Sequence, residues 1–284
     1  MGPASSVFSG GSTAVRRRFI PVTLAMAVGL ATALAACGEG TGGRGPKAAP
    51  SAAPTTATAA TTGSAAPRPA GARCAGELAA GTQVRFPTAG GTSLAGVLLG
   101  TGRTAVLLFH QTRADVCQLA WYGNDLAKAG YQVLLVDFTG DGASDRGSAT
   151  PADDVVAAAV FMHGRGVTRV ALVGASKGAN AVVGAAPRVA PPVLVVVSLS
   201  PPVRFAGVDG LAAAAEIRVP ILYVAARGDG QFPADAQQLH AATPDGPGRR
   251  LVLVDGTFHG VSLLRTAPTV RQTVDTILRT VAAP

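Results

Sequence analysis

The chain has 284 residues, 48% of them hydrophobic and 14% charged, with 24 basic and 16 acidic side chains and a formal net charge of +8. Seven basic residues and one acidic residue precede Cys74, leaving 17 and 15 in the remainder, so the basic excess belongs mostly to the N-terminal quarter and argues against a nucleic-acid surface on the folded part. The four histidines are scattered without metal-ligand spacing, and no phosphate loop or dinucleotide fingerprint occurs, so neither a metal nor a cofactor is expected.

Residues 1–36 have the order of an export signal. Val15-Arg16-Arg17-Arg18 gives a positive start, residues 19–36 are apolar and uncharged, and Leu34-Ala35-Ala36-Cys37 closes the segment with small residues. That ending resembles the lipobox of bacterial lipoproteins, which implies a lipidated Cys37 as the mature N-terminus. Arg16-Arg17-Arg18-Phe19-Ile20 resembles a twin-arginine signal, without the usual polar residue before the arginines. The alternative is a transmembrane anchor, for which the 18 residues of 19–36 are barely long enough. Both readings place the rest of the chain outside the cytoplasm and tied to a membrane. Residues 37–73 are rich in Ala, Pro, Thr and Gly and hold almost no large apolar side chain, so they cannot bury enough surface to offset their ordering entropy. They are expected to be a flexible tether, with a single domain over 74–284. With Cys37 assigned to lipid, Cys74 and Cys117 form an even pair in an oxidising compartment and are expected to be bonded; two separate buried thiols are the alternative.

Within 74–284 short apolar runs alternate with helical patterns. Segments 84–87 and 93–99 read as a hairpin about Gly90-Gly91, and the apolar run 104–109 suits a strand covered on both faces. Residues 115–129 have helical spacing, with Leu119, Tyr122, Leu126 and Ala129 on one side and Gly130 ending the run. Strands follow at 131–136, 168–173, 193–199, 220–224 and 250–254. Helices follow at 151–163, from Ser176 onward, and at 210–216, 233–242 and 269–281. Strands alternating with helices after the opening hairpin predict an α/β domain with a mostly parallel central sheet and helices on both faces. The interval between 199 and 220 is too short for a large cap domain.

Chemistry is expected outside the carboxyl ends of the strands. There the chain places Gly174-Ala175-Ser176-Lys177-Gly178, then Asp229 in Arg227-Gly228-Asp229-Gly230, then His259 in Thr257-Phe258-His259-Gly260. A serine raised on a sharp strand-to-helix turn needs glycine or a very small residue two positions to either side, and Gly174 and Gly178 meet that need. The order Ser, Asp, His matches the α/β-hydrolase family. His110-Gln111-Thr112 resembles the family's His-Gly turn ahead of its oxyanion loop, with Gln111 in place of the usual glycine. Asp137-Phe138-Thr139-Gly140-Asp141-Gly142-Ala143-Ser144 resembles its D-x-x-G-x-G-x-S stretch. The resemblance, over about 80–284, is to the esterase and dienelactone-hydrolase-like part of the family. It implies the α/β-hydrolase fold and an extracytoplasmic serine hydrolase acting on carboxylic esters or related acyl compounds. Ser176 is expected as nucleophile, His259 as general base and acid, and Asp229 as the orienting carboxylate, with Asp255 as its competitor. Oxyanion donors are expected at the backbone N–H of Lys177 and at the loop of Gln111 or Thr112, with Thr112 favoured. The side chain of Lys177 is expected to face solvent. His163 and His240 are expected on helix surfaces, His110 in the oxyanion loop, and Asp137 and Asp141 in support of their own loop. A peptidase or amidase on the same triad, and a non-catalytic binding lipoprotein, are the alternatives.

Overall fold

The computed structural model describes residues 68–246 and 248–284. The expected signal segment, Cys37 and the tether up to residue 67 lie outside the described residues. In chain order the elements are β1 (Thr82–Pro87), β2 (Ser93–Leu99), β3 (Thr104–Phe109), α1 (Ala120–Lys128), β4 (Gln132–Val136), α2 (Pro151–Gly164), β5 (Arg169–Ala175) and α3 (Lys177–Ala185). There follow β6 (Val195–Leu199), β7 (Arg204–Phe205), β8 (Val208–Asp209), α4 (Gly210–Glu216), β9 (Ile221–Ala226), α5 (Phe232–Ala242), β10 (Arg249–Val254), α6 (Val261–Thr266) and α7 (Pro268–Val281).

Eight strands form one sheet in the order β1-β2-β4-β3-β5-β6-β9-β10. The β1–β2 and β2–β4 pairs are antiparallel and every other pair is parallel. The unbroken apolar runs are the central strands: every residue of β3, β6 and β9 is buried, as strands covered on both faces must be. One apolar layer joins the sheet to α1, α6 and α7 through Leu126, Leu263 and Leu278. The other joins it to α2, α3, α4 and α5 through Met162, Val182, Ala214 and Leu239. Leu222 and Tyr223, neighbours on β9, point into opposite layers, as the period of a strand requires. The architecture is the α/β-hydrolase fold, a mostly parallel sheet with helices on both faces and no large cap.

Differences from the sequence expectation have local causes. The expected helix 115–129 divides into a 3-10 turn at Val116–Gln118 and then α1, because the Asp115 side chain caps the turn by accepting from the Cys117 N–H at 3.0 Å. Strand β5 runs on to Ala175, since Gly174 and Ala175 still pair with Ser198 and Leu199. The β7–β8 hairpin and α6 are too short to show a period. The hairpin is closed by the Arg204–Asp209 ion pair, at 2.8 Å. The domain also begins before Cys74: Ala70 is buried, and its N–H and C=O both bond the side chain of Gln83. Residues 70–73, expected in the tether, therefore pack on the domain. Cys74 and Cys117 are bonded with Cα atoms 5.6 Å apart, tying this entry segment to the turn before α1. Among the described residues no helix is long and apolar enough to cross a membrane, and no group of three or more His, Cys, Asp or Glu could hold a metal.

Candidate active site

Ser176 lies between β5 and α3 with φ 51° and ψ −110°, a conformation that L-residues rarely adopt. The turn is possible because its flanks lack side chains. A Cβ on Gly174 would collide with the carbonyl of Gly178, and one on Gly178 with the carbonyl of Phe109. The Ser176 N–H is spent on the Leu199 carbonyl at 2.8 Å. The N–H of Lys177, first in α3, has no partner inside the helix.

Asp229 follows β9 and His259 follows β10, and the parallel pairing of these strands brings them to one edge. His259 Nδ1 lies 2.9 Å and 3.0 Å from the two carboxylate oxygens of Asp229. This bond puts the donor hydrogen on Nδ1 and leaves Nε2 as a proton acceptor. The backbone of His259 is fixed by Ser262, whose Oγ accepts from the His259 N–H at 2.9 Å. The Phe232 ring packs against the imidazole with centroids 4.3 Å apart. The competitor Asp255 is fully exposed and pairs with Arg227. Among the described residues Ser176 Oγ makes no hydrogen bond to His259; such contacts are often long until a substrate closes the site.

Ser200, which the sequence reading passes over, bonds the Asp229 carboxylate from the other side. Its Oγ–H donates to Asp229 Oδ2 at 2.7 Å, and its oxygen accepts from the Gly260 N–H at 3.0 Å. Its only local signal is its place one residue after β6, at the same sheet edge.

The loop after β3 carries the expected oxyanion donor. His110 is 1% exposed. Its Nδ1–H donates to the Gln111 carbonyl at 2.8 Å, and Nε2 accepts from the Phe138 N–H at 3.4 Å. Burial first, and the Lys177 charge second, pull its pKa down to about 4, so the ring is neutral. The Gln111–Thr112 peptide is trans, so holding its carbonyl toward His110 points the Thr112 N–H the opposite way. That N–H has no partner among the described residues, whereas the Gln111 N–H is occupied by Gln118 Oε1 at 3.0 Å. The Gln111 side chain has a partner of its own. Oε1 accepts from the Val261 N–H at 3.3 Å and fills the space where a Cβ on Gly260 would stand.

In the loop after β4 Asp137 supports its own loop, as expected, whereas the Asp141 carboxylate, expected to do the same, reaches out to Lys177. Asp137 accepts from the N–H groups of Val116 and Ala143 at 2.9 and 2.8 Å, and a Cβ on Gly142 would collide with its carboxyl. Burial pushes the Asp137 carboxyl up to about 6. The solvent-facing expectation for the Lys177 side chain is overturned: it is 8% exposed and Nζ pairs with Asp141. His163 and His240 are half-buried rather than on the surface. His240 stands edge-on to Tyr223, and both ring nitrogens of His163 are buried without a partner. Beside His259 an open cavity of about 520 Å³ is lined by Gln111, Gln118, Val261, Ser262 and Arg265. Two further cavities, of about 250 and 280 Å³, lie at the opposite edge, where β9 and β10 begin.

No family model matches the sequence, and no curated protein matches it. Its fold is similar to that of an esterase from Pyrococcus furiosus (17% identity, TM-score 0.62), covering 75% of this chain and 98% of that one. It is also similar to an esterase domain from Rhodothermus marinus (20%, TM-score 0.58), covering 70% and 98%. An enol-lactonase from Burkholderia xenovorans LB400 is a third (19%, TM-score 0.55), covering 68% and 98%. These likenesses establish the α/β-hydrolase fold.

Proposed function

We propose that this protein is a serine hydrolase of carboxylic esters or related acyl compounds, working through an acyl-enzyme. The observation that carries the reading is the Asp229–His259 hydrogen bond at the sheet edge where Ser176 is held in its strained turn. The esterases and the lactonase of the same fold support an ester-type substrate. Ser176 Oγ attacks the substrate carbonyl carbon while His259 Nε2 takes its proton. Asp229 accepts the Nδ1–H of the resulting imidazolium and stabilises it without being protonated. The N–H groups of Lys177 and Thr112 donate to the developing oxyanion. The tetrahedral intermediate collapses as His259 returns the proton to the leaving oxygen. A water then repeats the sequence on the acyl-enzyme and frees the acid. The protein acts outside the cytoplasm, held to the membrane by lipid on Cys37, and no nucleic acid takes part.

The test is active-site labelling of the full-length chain with a fluorophosphonate, with the adduct located by mass spectrometry. Labelling at Ser176 is expected, and loss of labelling in Ser176→Ala and His259→Ala. A folded protein that takes up no label and hydrolyses none of a panel of short acyl esters refutes the reading in favour of a binding protein.

A further inference from the structure

Lys177 has two ends with different work. Its backbone N–H belongs to the expected oxyanion site, one residue after Ser176. Its ammonium pairs with the Asp141 carboxylate and lies 4.3 Å above the ring of Phe138. Burying a lysine is costly, and an apolar side chain of similar volume usually serves stability as well or better. The ion pair therefore calls for a use other than stability.

The partners of Asp141 supply one. Its N–H donates to the Phe138 carbonyl at 2.8 Å, and its carbonyl accepts from the Ser144 N–H at 3.0 Å, so the turn bearing the carboxylate is fixed. Asp154, in α2, fixes the turn from behind by accepting from the N–H and hydroxyl of Thr139, both at 2.7 Å. The Phe138 N–H meets His110 Nε2, His110 Nδ1–H holds the Gln111 carbonyl, and that peptide aims the Thr112 N–H. Both oxyanion donors thus hang on one polar chain running from α3 through the loop after β4 to the loop after β3.

Resting on the serine-hydrolase reading, we propose that the Lys177–Asp141 ion pair is a positioning device for the oxyanion site. It ties the residue that carries one N–H donor to the loop that orients the peptide carrying the other. Neither charged group touches substrate; both act through the backbone donors. Oxyanion donors stabilise charge that exists only in the transition state, so loosening them lowers kcat more than it raises KM.

The test uses full-length wild type, Lys177→Met, Asp141→Asn and the double variant. Each is assayed for kcat and KM on p-nitrophenyl acetate, for inhibition by phenylboronic acid, and for melting temperature. Met keeps the length and apolar packing of the lysine, and the Asp141 carboxylate it leaves without a partner is 28% exposed and can be solvated, so a folded protein is expected. Lys177→Met should lose about ten- to a hundredfold in kcat, in the range for weakened oxyanion donors. Its KM should change less than about threefold, with boronate affinity falling in parallel with kcat. Because the pair works as a unit, the double variant should be no slower than the slower single variant. Folded Lys177→Met with kcat within about twofold of wild type overturns the proposal, as does a kcat loss in the double variant equal to the product of the single losses. Wild type that neither labels at Ser176 nor turns over ester is a different failure. It removes the hydrolase reading, and this inference with it.

Discussion

The Ser200 hydroxyl has two hydrogen bonds, and both reach far along the chain: 29 residues to Asp229 and 60 to Gly260. It is fully buried and sits at φ 51°, in the left-handed region like Ser176. A strained residue persists where its surroundings over-determine it, and here they do so against Asp229, the proposed orienting carboxylate. Ser200→Ala removes the donor to Asp229 and leaves the buried Gly260 N–H unpaired, at a cost of about 1–3 kcal/mol in stability. With the carboxylate less firmly aimed, kcat should fall by about tenfold with KM nearly unchanged, in keeping with a purely orienting role. Denaturant unfolding and steady-state ester hydrolysis check this; lower stability with full kcat would reduce Ser200 to a packing residue. At this scale the sequence marked Ser176, Asp229 and His259 because each directly follows a strand and two of them sit among glycines. It could not mark Ser200, because a serine after Leu199 and before Pro201 has no local pattern. Nor could it orient Lys177, since which way a side chain leaves a tight turn is decided by its distant partner, Asp141.

The loop between β4 and α2 shows how one element holds another. Asp154, in the first turn of α2, is buried and accepts from the N–H and hydroxyl of Thr139. Burial outweighs these bonds and pushes its carboxyl up from 3.8 to about 6. A carboxyl raised in the folded state contributes stability that is fully present below its unfolded value and is lost as pH rises through about 6. His110, lowered to about 4, works the other way, its contribution present above 6.5 and lost as pH falls through about 4. Asp154→Asn isolates the carboxyl, because an amide can still accept from the Thr139 N–H and donate to its hydroxyl. The stability of wild type relative to Asp154→Asn should therefore decline between pH 4 and pH 7, by up to about 3 kcal/mol. Urea titrations of both proteins across that range decide it, and a constant difference would show that Asp154 ionises freely in the fold. Elements were legible where their patterns are long. The runs 93–99, 104–109 and 210–216 coincide with β2, β3 and α4. The pattern failed at the turn before α1, where a capping carboxylate and a disulfide override helical spacing, and at β7, β8 and α6, which are too short to repeat the period that would reveal them.

Over the whole molecule, most of the basic excess and the proposed membrane tether belong to one end of the chain and the proposed chemistry to the other. The basic excess precedes Cys74, and the lipid proposed on Cys37 would tether a nearly neutral domain. Cys37→Ser should move the protein from the membrane fraction to the soluble fraction of its host, with fluorophosphonate labelling at Ser176 unchanged. Membrane retention of that variant, followed by fractionation and immunoblotting, would point instead to residues 19–36 as a spanning anchor. The sequence by itself determined the layered α/β architecture, because apolar runs of strand length alternating with helical periods can be buried in few other ways. It also determined the elbow around Ser176, because only glycine fits where Gly178 meets the Phe109 carbonyl. The tertiary structure alone decided the rest. Strand order set β9 beside β10 and so chose Asp229 over the exposed Asp255 as the partner of His259. The same packing turned Lys177 inward to Asp141 and brought Ser200 beneath the acid. Periodicity and turn chemistry act over a few residues and are written locally, whereas these contacts join residues 29 to 36 positions apart and exist only once the sheet has assembled.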